Sequence, residues 1–328
     1  MRVNMKILWV SVFLMLWLLP HAATAQEASQ KKMADKPAAL VNGTMIPLDT
    51  LEKEVRKIKE LSAMRGEQVA EPQMEGLKHE VLERLINFEL LCQESVKRNI
   101  PVSSEAIDQE LQGLKERFPD EDTYRDTMAK MGVTQAELKS QIKRSLAVKN
   151  LLEQEVLSNI SVSDEESETF YEENPGYFEE PEQVKASHIF VAVPEDASKA
   201  DKKETRAKID AAGKRLKDGD DFETVAREVS QCPSSEQGGD LGFFARGSMD
   251  KTFEDTAFSM KPDETSPVIE TSFGYHIIRV TDRKDERVVP FDEAKDTIDK
   301  HLKNQKNNKG VEEYVNGLKK SAKIDRFL

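Results

Sequence analysis

Cysteine is almost missing from this chain. Cys92 and Cys232 are the only two in 328 residues, so no disulfide framework can hold the fold together. The two are not expected to pair, because their settings differ. Cys92 falls on the stripe Met74, Leu77, Val81, Leu85, Phe88, Cys92, whose spacing of three and four marks one helix face and predicts a buried, inert thiol. Cys232 lies among serine, glutamine and proline in a turn-like stretch. Aromatic residues are also scarce, at 6%, while charged residues reach 33% against a typical quarter. That balance disfavours a sheet-dense fold and predicts exposed, amphipathic helices. An excess of positive charge is lacking as well: the net charge is −13, which repels nucleic acid phosphates and anionic membranes. The basic run Lys300–Lys309 has no interleaved aromatic residue and reads as a solvated helix face.

No apolar run is long enough to span a bilayer. Ile7–Leu19 falls short of the roughly 20 residues required. With Arg2 and Lys6 before it and Ala23, Thr24, Ala25 after it, it has the form of a secretory signal cleaved after Ala25. No cysteine follows the run directly, so a soluble periplasmic protein is expected, with no stable membrane insertion after cleavage. Loss of Arg2 and Lys6 makes the mature chain more acidic still.

The chain is longer than a usual single domain. Residues 26–37 are polar and expected to be a disordered linker. Ala39–Ile46 then reads as a short hairpin on the Asn42-Gly43 turn. Helical stripes follow: Leu48, Leu51, Val55, Ile58; then Ile107, Leu111, Leu114, Phe118; then Leu138, Ile142, Leu146, Leu152, Val156. Thr134 with Glu137 and Ser163 with Glu166 have capping-box spacing. Pro175, Gly176 and Pro181 end the helical region. From Gln183 the period becomes two, with Val184, Ala186, His188 and Phe190 on one face, followed by a helix through Ile209 and Ala212. Short strands are expected around Leu241–Phe244, Val268–Thr271 and His276–Val280, with a boundary near Asp282. The tail is helical from Phe291 and ends in the alternating stretch Ala322–Phe327. A single terminal strand needs a partner, and the hairpin near Val41 is the one available. The predicted organisation is therefore a helical domain over 38–180 completed by 288–328, with a smaller domain over 183–281 inserted in or appended to it.

That smaller region carries the chemistry. Gly238, Gly239, Asp240, Leu241, Gly242, Phe243 and Phe244 precede Met249, Phe253 and Gly274, Tyr275, His276, while Ala186, Ser187, His188, Ile189 and Phe190 lie upstream with Cys232 between the histidines. Taken singly, Leu241, Met249 and Phe253 would be core residues. Glycines on either side of them free the backbone in a way that suits a groove admitting a peptide. Together these residues resemble the parvulin family of peptidyl-prolyl isomerases. The resemblance covers about a third of the chain and implies an α+β unit, a four-stranded antiparallel sheet surrounded by helices. It also implies that Leu241, Met249 and Phe253 hold a substrate proline ring, with Phe244 lining the same pocket and Phe273 closing one wall. His188 and His276 would be paired histidines on adjacent central strands, joined by Cys232 and by the hydroxyl of Thr271 in a polar network. Asp240 is read as bracing its loop. Less specifically, Leu40, Val41, Asn42 and Gly43 leading into an amphipathic helix look like the opening of the SurA and PrsA foldases.

These features imply a peptidyl-prolyl cis-trans isomerase that needs no cofactor and acts on unfolded or nascent exported polypeptides containing X-Pro bonds. The alternative is a non-catalytic holdase in which the helical region cradles unfolded chains. Cys232 as a nucleophile is disfavoured, because no helix start is placed to activate it and Pro233 follows directly. A metal site is not expected either. His188 and His276 are far apart in sequence without a helical His-x-x-x-His or a third ligand, and His79 and His301 read as helix-surface residues.

Overall fold

The Asn42-Gly43 step reverses the chain because both residues take positive φ, 50° and 85°, the conformation a two-residue hairpin turn demands. It joins β1 (Pro37–Val41) to β2 (Thr44–Pro47). The computed structural model describes residues 36–67, 70–194 and 196–328; the signal segment and residues 26–35 lie outside the described residues, and β1 begins within the span read as a linker. Two compact units emerge, one formed by residues up to Ser163 with Asp299–Leu328, the other by Asp164–Ile298.

In the first unit, α1 (Leu48–Met64), α2 (Glu71–Lys97), α3 (Ser104–Lys115), α4 (Glu121–Lys130) and α5 (Gln135–Glu155) follow in order. Their stripes make the core. Leu51, Val55, Val81, Leu82 and Ile86 pack beneath the hairpin; Leu111, Leu114, Leu138, Ile142 and Leu146 form a second cluster with Tyr124 and Met128. Cys92 is buried in a third, among Leu151, Leu152, Val311 and Val315, and burial pushes its thiol pKa up. The Thr134 hydroxyl accepts from Glu137 N at 3.2 Å while Glu137 Oε2 accepts from Thr134 N at 2.8 Å, so α5 starts on the capping box expected of it. A groove of about 530 Å³ runs between α1 and α2, lined in part by Val55, Arg56, Lys59, Ala63 and Met74.

The second unit opens with α6 (Asp164–Glu173) and β3 (Glu179–Glu180), continues through β4 (Gln183–Ala192), α7 (Lys199–Lys217), α8 (Phe222–Val229), β5 (Asp240–Ala245), α9 (Lys251–Ser259), β6 (Ile269–Thr271) and β7 (Gly274–Lys284), and reaches β8 (Arg287–Val288). Four strands form an antiparallel sheet in the order β5-β4-β7-β6. Alternation divides its faces: Ile189, Val191, Tyr275 and Ile277 meet α7 and α8, whereas Val184, Ala186, Ile278 and Val280 meet Phe253, Ala257 and Phe258 of α9. β3 and β8 pair as a separate two-stranded ribbon, with Arg287 Nε bonded to Glu180 Oε2 at 2.6 Å. Here the structure departs from the sequence boundaries. α6 groups with the second unit rather than with the helical domain; Tyr171 Oη donates to Val289 O at 2.8 Å, and Tyr171 packs on Phe178 and Phe291. β7 also runs past Asp282.

The chain closes with α10 (Phe291–Ser321) and β9 (Ile324–Arg326). β9 pairs antiparallel with β1, setting Leu40 opposite Asp325 and Val41 opposite Ile324. Asn42 N donates to Lys323 O at 2.8 Å. Glu83 of α2 pins the strand through Arg326 at 2.6 Å and Lys319 at 2.7 Å. Deleting residues 322–328 is expected to speed amide exchange at Asn42 while leaving β7 protection unchanged; equal Asn42 protection in both chains would contradict the pairing.

Candidate active site

β4 and β7 lie side by side at the centre of the sheet, and their register sets His188 opposite Ile278 and Phe190 opposite His276. Both histidines therefore face α9 on the same side as Val184 and Val280. Pairing runs unbroken from Ala186–Val280 to Ala192–Gly274, and the bulge between Lys185 and Ala186 lies beyond that stretch, so simple alternation along each strand places both histidines on this face. His276 Nδ1 lies 3.4 Å from His188 Nδ1, and His276 Nε2 lies 2.9 Å from Thr271 Oγ1. Thr271 Oγ1 also accepts from Phe273 N at 3.2 Å and reaches Gly274 O at 3.4 Å.

Each imidazole is only 7% exposed. Burial lowers the pKa of His188 to about 4. Burial, then the neighbouring His188, lowers His276 to about 4 as well, with Asp250 opposing. Both rings are thus neutral at physiological pH, and the proton positions along the chain are linked. If Thr271 donates to Gly274 O, His276 Nε2–H donates to Thr271 and His188 Nδ1–H donates to His276. His188 Nε2, buried without a partner, is then a lone acceptor. The reverse sense would leave it as a lone buried N–H, the costlier arrangement. A second proton on His276 would turn its Nδ1–H against that of His188.

Beside the imidazoles stands the apolar wall. Phe253 of α9 sets its edge to both rings, with centroids 5.7 Å from His188 and 5.5 Å from His276. Phe244 lies 6.0 Å from Phe253, and Leu241, Met249 and Ile269 pack on the same cluster as its half-buried members. Phe253 and Phe244 are 4% and 6% exposed, so Leu241 and Met249 are the walls open to solvent. Glu254 holds the loop before α9 by accepting from Gly247 N at 2.6 Å. Asp240 Oδ1 accepts from Gly242 N at 2.9 Å, the bracing contact expected of it.

The structure gathers His188, His276, Thr271, Leu241, Phe244, Met249 and Phe253 into one place, but not all of the expected set. Phe273 is 65% exposed on the β6–β7 turn and closes no wall of the apolar cluster. Cys232 sits at the start of the short helical turn Pro233–Gln237 without a side-chain capping bond; among the described residues no hydrogen bond joins its thiol to either imidazole. Sequence reasoning missed Phe190 as a member of the site. Its ring stacks on His276 with centroids 4.7 Å apart. It also missed Ser230, whose hydroxyl accepts from Phe190 N at 3.0 Å and from Cys232 N at 3.4 Å. Phe190 shares its strand face with His188, which was the available signal; Ser230 left none.

Comparison with known proteins adds to this geometry. A family model described as a PPIC-type PPIase domain matches residues 188–282, and one described as a SurA-like N-terminal domain matches residues 1–152. The foldase protein PrsA of Caldanaerobacter subterraneus subsp. tengcongensis is 34% identical over 255 residues, covering 77% of this chain and 72% of that protein. PrsA of Clostridium botulinum strain Loch Maree is 27% identical over 336 residues, covering 98% of this chain and 96% of its own. Among solved structures, one from work on SurA-like chaperones of Campylobacter jejuni is 26% identical, covers 89% of this chain and 100% of its own, and has a TM-score of 0.43.

Proposed function

Because this chain belongs to the PrsA foldase family and is a peptidyl-prolyl cis-trans isomerase of folding-chaperone type, we propose that it works in the periplasm, rotating X-Pro bonds of exported polypeptides without a covalent step. The observation that carries the mechanism is the neutral imidazole pair held against the Phe253 wall. Amide resonance sets a barrier of roughly 18 to 20 kcal/mol, so that the free bond turns over in tens to hundreds of seconds. Reaching about a hundred events per second requires about 10⁴-fold acceleration, on the order of 5 to 6 kcal/mol. A pocket that takes the proline ring between Leu241 and Met249, on a floor of Phe253 and Phe244, removes water from the imide and favours its twisted form. His188, His276 and Thr271 orient polar groups around the rotating carbonyl. Phe273 stands at the rim, and the Cys232 thiol acts as a polar neighbour. The periplasmic assignment rests on the export-signal pattern ending at Ala25.

An isomerisation assay on the full chain with a proline peptide tests this reading. Met249→Ala combined with Leu241→Ala should lower kcat/KM about tenfold or more by removing ring contacts. Cys232→Asp should keep activity. Complete loss in a folded Cys232→Asp variant would instead favour a thiol nucleophile, and wild-type activity in the double variant would remove the pocket from the mechanism. A holdase reading is favoured by the groove between α1 and α2; suppression of client aggregation by a chain inactive as an isomerase would support it.

A further inference from the structure

We propose that Phe190 is a positioning residue of the isomerase site, fixing the two imidazoles through its ring and the Cys232 turn through its backbone. This rests on the site reading above and concerns a residue outside the set implied by the parvulin resemblance. Phe190 is the direct cross-strand partner of His276, the arrangement in which side chains on one sheet face interact most closely. Its ring lies over His276 at 4.7 Å and 28° and runs nearly parallel to His188, with centroids 6.1 Å apart and 6° between planes. Phe253 meets both imidazoles edge-on from α9. His276 is therefore held by a hydroxyl at one nitrogen, an imidazole at the other, a ring stacked on its face and a ring set crosswise to it.

The backbone of Phe190 makes the second connection. Its N–H donates to Ser230 Oγ at 3.0 Å, and its carbonyl accepts from Gln231 N at 2.8 Å. Gln231 Oε1 in turn accepts from Ala192 N at 2.8 Å. The segment leading to Cys232 is thus attached to β4 on both sides of the residue that faces His276. Rotation of an imidazole and displacement of the thiol turn are both opposed at one position. The groups that bear electrostatically on the pair are the two imidazoles themselves and Asp250 at the start of α9; Phe190 adds an apolar face that keeps water from them.

Three variants of the full chain separate this from simple core filling: Phe190→Ala, Phe190→Leu, which keeps apolar volume without a ring face, and Phe190→Tyr, which keeps the ring. Histidine ring signals in NMR are followed against pH beside kcat and KM. Phe190→Ala should lower kcat on the order of tenfold to a hundredfold with KM within about twofold, and its imidazole midpoints should rise from about 4 toward 6.5. Phe190→Leu should shift in the same direction, and Phe190→Tyr should return both readouts toward wild type. If Phe190→Ala does not fold, the leucine and tyrosine variants decide by the same readouts. Wild-type kcat and unmoved midpoints in either the alanine or the leucine variant would overturn the proposal. His276→Ala with unchanged kcat/KM would sink the site reading instead, while the imidazole midpoints of the Phe190 variants would still report the stacking.

Discussion

Alanine at Gly239 is expected to lower kcat/KM about a hundredfold and to destabilise the isomerase unit by about 3 kcal/mol. Gly239 has φ of +84°, and a Cβ there would lie under 3.0 Å from the His188 carbonyl oxygen. That oxygen belongs to the backbone of the central strand, so it cannot swing aside as a flexible side chain would. Gly239 also accepts from His188 N at 2.9 Å and donates to Ser234 O at 2.8 Å. The residue that must move is therefore the one presenting the first imidazole. Gly242 supplies the control: its φ is +68°, but nothing lies within 4 Å of an added Cβ. Gly242→Ala should meet only the left-handed backbone cost of about 1 to 2 kcal/mol and keep most activity. Hydrogen exchange of β7 under increasing denaturant, beside kcat/KM, measures both effects. Equal behaviour of the two variants would show that close approach to His188 is not limiting.

Acidification is expected to weaken the isomerase unit well before its carboxylates are titrated. The folded imidazoles have pKa values of about 4, whereas in the unfolded chain they return to about 6.5. Between these limits the unfolded state binds more protons, so stability rises with pH through this window. The imidazole contribution is complete above pH 6.5 and is lost as pH falls toward 4, on the order of 3 kcal/mol for each imidazole. The same neutrality predicts a kcat/KM that stays level from pH 6 to 8, since neither ring changes charge there. Exchange protection of β7 at pH 7 and pH 5.5, with a pH-rate profile, checks the two together. An inflection near pH 6.5 assignable to either histidine would mean that the rings are not shielded from water as the structure has them.

Much of this arrangement was legible in the residues. The Asn42-Gly43 turn, the stripes of α1 to α5 and the Thr134–Glu137 cap are local signals, and local geometry decided them. The two histidines and the Leu241, Met249 and Phe253 set were readable through resemblance. What stayed hidden depends on register and on short elements. β3 and β8 have two residues each, too few for a period, and their pairing appears only once Glu180 and Arg287 meet. α8 and α9 are eight and nine residues long, so the stripe Phe253, Ala257, Phe258 reads as well as a loop with scattered apolar residues. The shared face of Phe190 and His188 could be read from alternation, but the stacking of Phe190 on His276 follows from the β4–β7 register that sets them opposite each other, and neither strand's period alone announces that register. The exposure of Phe273 has a similar cause. Its carbonyl accepts from Val193 N and its N–H from the turn is taken by Thr271, which leaves the ring outside.

The β1–β9 pairing joins residues that are 281 positions apart at Asn42 and Lys323, with the whole of Asp164–Ile298 between them. Synthesis runs in one direction, so the isomerase unit is complete before the strand that finishes the three-stranded sheet has been made. Until then the Ala38–Val41 edge is an open template for mispairing. The catalyst matures first, and the helical scaffold that flanks it in sequence is the last part of the chain to be secured.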